Sequence, residues 1–104
     1  MKSAVILALG LFVATPALAH HSDVGMDVNS VVTIEGTIGE FSWRNPHIYF
    51  TIESQDANGE PVEWTVQMAG IRSISRMGWD SEILQTGDEV TIGLHPARDG
   101  RPYG

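Results

Sequence analysis

Between Val31 and Phe41 the chain alternates. Ile34, Gly36 and Ile38 fall on one side of an extended segment, and Thr33, Glu35 and Thr37 fall on the other. That is the period-two signature of a strand with one buried face. The phase slips after Ile38, because Phe41 and Trp43 carry the parity of the polar set. Gly39 is the natural place for a bulge that turns the strand's face around. Asn45-Pro46 then disfavours helix and starts a turn. A second strand is predicted over 47–54, with Ile48, Phe50 and Ile52 inward and His47, Tyr49, Thr51 and Glu53 outward. "DANG" at 56–59 is a hairpin loop ending in Asn-Gly, a pair suited to positive φ. A third strand follows over 62–68, with Val62, Trp64, Val66 and Met68 inward and Glu63, Thr65 and Gln67 outward.

The period then changes. Over 70–78, Ile71, Ile74 and Met77 are three apart while Arg72 and Arg76 share the opposite face, and Gly78 is a suitable stop. One or two helical turns are predicted there, with Met77 inward. A Gly-Asp turn at 87–88 leads to a fourth strand, with Val90, Ile92 and Leu94 inward and Thr91 and His95 outward. Three strands, a short helix and a fourth strand is the order of an OB-type barrel lacking its fifth strand. The expected fold is therefore mainly β. It is a small OB-like antiparallel barrel or an open sheet, with one short helix between strands three and four. Asp99-Gly100 and Pro102 to Gly104 look like a turn into the absent strand, so truncation at the C-terminus is expected. The alternative is an open four-stranded sheet completed by a partner. Residues 31–104 form the domain, and the polar stretch 20–30 is an extended N-terminal arm.

The beginning of the chain sets the compartment. Lys2 precedes an uncharged apolar run, "AVILALGLFVA" (4–14), and Pro16 is followed by "ALA" at 17–19, the small-residue pattern of a signal-peptidase site. The run is well short of the ~20 apolar residues that a spanning helix needs. Residues 1–19 are thus expected to be a signal peptide, leaving no stable membrane span and a periplasmic or secreted protein beginning His20-His21. Loss of Lys2 leaves five arginines against thirteen acidic residues, a net charge of 5 − 13 = −8. Nucleic acid and anionic lipid, which require a basic footprint, are disfavoured as partners. With no cysteine, disulfides, thiolate metal sites and a cysteine nucleophile are all excluded.

The segments "AHHS", "EGTIGEFSWRNPH", "EWTVQMAG", "RMGW" and "GDEVTIGLHPARDG" together resemble a family of short exported bacterial proteins known as a domain of unknown function. The most specific pieces are the Trp-x-Asn-Pro-His turn at 43–47 and the His-Pro-Ala-x-Asp-Gly segment at 95–100. Members of that family usually continue into another strand, a departure that supports truncation. The resemblance implies an exported β domain and no particular reaction.

The chemistry must then come from the four histidines. Freed by processing, His20 carries an α-amine and an imidazole that together chelate one metal. Nitrogen donors in a planar arrangement favour Cu(II), which also tops the first-row affinity order. With a histidine from elsewhere as third nitrogen ligand, the arrangement is similar to the histidine brace of several exported copper proteins, a likeness limited to the terminal histidine. His21 offers a second mode through amine, intervening amide and imidazole. The plain alternative is a terminal arm without a ligand. By alternation His47 and His95 both point away from the apolar face, so each is a metal ligand or simply a surface or turn-capping histidine. In an OB-type order the two lie near opposite ends of the first strand, some ~30 Å apart if that strand is straight. A single site using all four is disfavoured, and His95 is the nearer partner for the arm.

Trp64 is expected in the core and Trp79 at the barrel end beneath the helix. Trp43, Asn45 and Tyr49, with His47 beside them, form the alternative ligand or partner face, although core is the better assignment for Trp43. Met26, Met68 and Met77 suit a soft Cu(I) site, but inward spacing assigns Met68 and Met77 to packing. No phosphate loop, H-E-x-x-H or serine elbow is present, so catalysis is disfavoured. The reading is an exported binding domain for copper, with a periplasmic protein as alternative partner. Its competitor is a metal-free protein- or small-ligand-interaction module using the face around Trp43, His47 and Tyr49.

Overall fold

A computed structural model describes residues 25–104. The expected signal peptide, residues 1–19, and the first five residues of the expected arm lie outside the described residues. Four strands form one antiparallel sheet: β1 (Val32–Ser42), β2 (Tyr49–Gln55), β3 (Pro61–Gln67) and β4 (Glu89–Leu94), in the order β3-β2-β1-β4. A single short helix, α1 (Ile71–Arg76), sits between β3 and β4 in the chain. The fold is mainly β with an unclosed sheet, the open form of the two architectures expected.

The alternation does what the pattern requires. Ile34 and Ile38 of β1, Phe50 and Ile52 of β2, Val66 of β3 and Leu94 of β4 make one buried cluster. Val32, Phe41, Trp64, Met68, Leu84, Val90 and Ile92 pack against it, half-buried. Ile38, Ile48 and Ile52 are at most 1% exposed. The phase slip is a bulge: Ile38 pairs with Ile52, but Phe41 pairs with Phe50, so β1 spends one residue more than β2. Residues 86–88 take up the backbone groups that the bulge leaves over. Ile38 N–H donates to the Asp88 carbonyl (2.8 Å), Gly87 N–H to the Ile38 carbonyl (2.8 Å), and the Thr86 hydroxyl to the Gly39 carbonyl (2.6 Å). Gly36 is required by a close approach, since a Cβ there would lie 2.2 Å from the Glu53 carbonyl oxygen.

Two expectations are corrected. Met77 is 68% exposed. The helix ends at Arg76 and the chain turns at Gly78 (φ 91°), so the three-residue spacing that buries Ile74 does not carry through to Met77. The arm is not simply extended over its described part. Asp27 folds a turn, accepting from Asn29 N–H (3.1 Å) and from the Ser30 hydroxyl (2.6 Å). Met26 bridges to Ala97, and Asp27 N–H donates to the Pro96 carbonyl (2.8 Å). In place of a fifth strand, residues 102–104 run parallel along the outer edge of β3. Thr65 N–H donates to the Pro102 carbonyl (3.0 Å), and Gln67 N–H to the Gly104 carbonyl (2.8 Å).

Candidate functional site

His95 is the first residue after β4, whose last residue, Leu94, pairs with Val32 at the start of β1. Its imidazole is exposed, and Nδ1 lies 2.8 Å from the Ser30 carbonyl oxygen. A carbonyl only accepts, so Nδ1 is the donor, and in the neutral ring the lone pair is then on Nε2. That second-partner arrangement is what orients metal-ligating histidines and raises their basicity. The Asp27 carboxyl, one turn away in the docked arm, is held below the usual carboxylate range, first by the Ser30 hydroxyl and then by Asn29 N–H.

The residues after His95 grip the arm. Besides the Asp27–Pro96 bond, Arg98 donates from its backbone N–H to the Gly25 carbonyl (2.9 Å) and from Nε to the Met26 carbonyl (3.1 Å). Met26 is buried by this docking, at 8% exposure. The first described residues of the chain thus lie alongside 96–98, next to His95. Beneath them is a cavity of about 400 Å³. It is lined by Met26, Phe50, Val66, Met68, Trp79 and His95 among others, and no acidic or basic residue apart from His95 is part of its wall.

His47 occupies the other end of β1, just ahead of Tyr49, which pairs with Ser42. Its Nδ1 donates to the Met68 carbonyl (3.1 Å) and its ring meets that of Tyr49 edge-on (centroids 6.3 Å). It too keeps a free Nε2. The two described histidines are therefore alike in preparation but anchored to different segments. Among the described residues no group of three or more histidine, cysteine or acidic residues is placed to hold a metal. His20 and His21 lie outside the described residues.

The residues of the alternative face have separate partners. Trp43 packs edge-on against Phe41 (5.9 Å), half-buried. Asn45, exposed, accepts from Ile71 N–H through Oδ1 (2.9 Å), at the first residue of α1. Gly70, at the N-cap, permits that approach, since a Cβ there would be 2.9 Å from the Asn45 oxygen. The Tyr49 hydroxyl donates to Gln67 Oε1 (3.3 Å), which also accepts from the Tyr103 hydroxyl (2.5 Å). Burial first, and then the Tyr49 phenol beside it, push the Tyr103 hydroxyl above its ordinary value. Gln67 was missed by sequence reasoning, and Met26 was named as a soft ligand but its docking against Ala97 was not foreseen. Gln67 gave no signal beyond its outward parity, whereas Met26 stood out as an isolated large apolar residue in a polar arm.

Among the described residues no helix is long and apolar enough to cross a membrane. A family model described as a family of unknown function (DUF6152) matches residues 9–104. No curated protein and no solved structure matches the chain.

Proposed function

The chain belongs to the family of unknown function DUF6152, a membership that names no chemistry, and from its own residues we propose that it is an exported copper-binding domain. In this reading the leader is removed after Ala19 and the protein works in the periplasm or outside the cell. His20 chelates Cu(II) through its α-amine and ring nitrogen, and His95 Nε2 is the third nitrogen ligand. Square-planar nitrogen donation is the arrangement that divalent copper prefers.

The observation that carries the reading is the pairing of His95 with the docked arm. The imidazole is held through Nδ1 by Ser30, and the arm is fixed beside it by the Asp27–Pro96 bond. His20 is seven residues before Asp27, a length of chain that reaches at most ~25 Å. His47 sits at the far end of the eleven-residue β1, ~36 Å of nominal strand at ~3.3 Å per residue. The choice between the two histidines therefore falls on His95. His21 supplies the competing mode, through amine, amide and ring.

The test compares Cu(II) affinity of protein that begins at His20 with a version carrying one extra N-terminal residue. The extension blocks the α-amine and is expected to weaken binding about a hundredfold, ~2.8 kcal/mol at ~1.4 kcal/mol per decade. Equal and weak binding by both would defeat the copper reading. It would favour the metal-free interaction module, whose support is the half-buried Tyr49 ring beside His47 and the half-buried Trp43 ring against Phe41.

A further inference from the structure

We propose that Met26, Met68 and His95 form a second copper site, selective for Cu(I), at the cavity beneath the docked arm, with the Trp79 ring in its wall. The inference goes beyond the Cu(II) reading and does not need the freed α-amine of His20.

The three donors come from three separate segments: the arm, the residue after β3 and the residue after β4. The fold nevertheless places all of them in the lining of one cavity of about 400 Å³. The contrast with the third described methionine is informative. Met77 is exposed and is not part of this wall. Met26 reaches the cavity only because the 96–98 segment holds it there, through the Ala97 bridge and the Arg98 Nε bond to its carbonyl. Met26 and Met68 both border this space, Met68 while also packing against the buried cluster.

The donor set selects the ion. Thioether sulfur and imidazole nitrogen are soft or borderline neutral donors, which suit Cu(I) and fail to compete with water for calcium or magnesium. No Asp or Glu side chain lines the cavity, so no side chain there favours a hard dication. His95 can offer Nε2 as a ligand, since its Nδ1–H donates to the Ser30 carbonyl and the neutral ring then carries its lone pair on Nε2. Phe50, Val66, Ile92 and Leu94 complete an apolar wall. Trp79 adds an indole ring, the side chain best able to hold a cation against its face. Because His95 has one free nitrogen, it serves one ion at a time. Cu(I) held by the methionines and Cu(II) held through His20 exclude each other.

The experiment is an anaerobic Cu(I) titration of the mature protein in competition with bicinchoninate. One equivalent is expected to bind, with sulfur scattering in the X-ray absorption spectrum of the loaded protein. Met26→Leu and Met68→Leu conserve volume and should leave the fold intact by circular dichroism. Each is expected to weaken Cu(I) binding about tenfold or more, ~1.4 kcal/mol, and the double variant should abolish it. His95→Gln should weaken it similarly, and Met77→Leu should leave it unchanged. The protein extended at its N-terminus should keep Cu(I) while losing tight Cu(II) binding, which separates this site from the terminal one. Retention of Cu(I) by the folded double variant, or loss of Cu(I) on N-terminal extension, would overturn the proposal.

Discussion

Replacement of Ile52 by alanine probes the sheet that positions everything else. The side chain is 0% exposed and sits opposite Ile38 on β1 and Trp64 on β3. Truncation removes three carbons, which at ~0.8 kcal/mol per buried methylene is ~2.4 kcal/mol of transfer free energy. Hydrogen-bonded neighbours on both sides keep β2 from collapsing into the hole, so a cavity contribution adds to this. The sum lies within the ~2–5 kcal/mol typical of such truncations, at about 3–4. The 80 residues from 25 to 104 correspond to a total stability of only ~4–12 kcal/mol. Urea unfolding followed by tryptophan fluorescence reads the change. With a slope of ~1 kcal/mol/M, Ile52→Ala should lower the midpoint by about 3 M or leave the protein unfolded. Ile52→Val should lower it by about 1 M. Ile83→Ala, at a position 42% exposed, should stay within ~0.5 kcal/mol of the parent. A fall of less than about 0.5 M for Ile52→Ala would refute the assignment of the core to this face of the sheet.

Other outcomes follow from particular contacts. Gly36→Ala forces a methyl group against the Glu53 carbonyl and should cost about 1–3 kcal/mol in the same assay. Asn45→Ala removes the acceptor at the first N–H of α1 and should cost ~1 kcal/mol, with faster amide exchange at Ile71. The raised Tyr103 hydroxyl sets the sign of an alkaline effect. The folded state holds this phenol neutral after the unfolded one has ionised. Stability is therefore undiminished below the ordinary value of 10.0 and is lost as pH rises towards the folded value. Ultraviolet titration should show Tyr103 ionising late, and Tyr49→Phe should bring it down.

The strands were legible because period-two alternation is local information, and even the bulge showed itself as a parity slip between Ile38 and Phe41. The helix was legible in kind but not in length. Three-residue spacing cannot show that Gly78 turns the chain early enough to leave Met77 in solvent. The flanking of β1 by β2 and β4 followed from the OB-type order, but pairing outside the strands was not legible. The docking of Met26 on Ala97 and of Tyr103 on Thr65 joins segments far apart in the chain, and neither carries an alternating pattern of its own. The candidate chemistry divided in the same way. His47 and His95 were identifiable by type and outward parity. Their common preparation, Nδ1 bonded to a carbonyl and Nε2 free, depends on the carbonyls of Met68 and Ser30, which no residue pattern encodes. Asn45 was read as a ligand-face residue, and that its amide oxygen also accepts from the first N–H of α1 was not legible.

The claim beneath the copper chemistry is that export processing exposes His20 as the first residue. Intact-mass measurement and N-terminal sequencing of protein recovered from outside the cytoplasm test this directly. The expected form lacks residues 1–19 and starts His-His-Ser. A form that starts at any other residue would contradict the account.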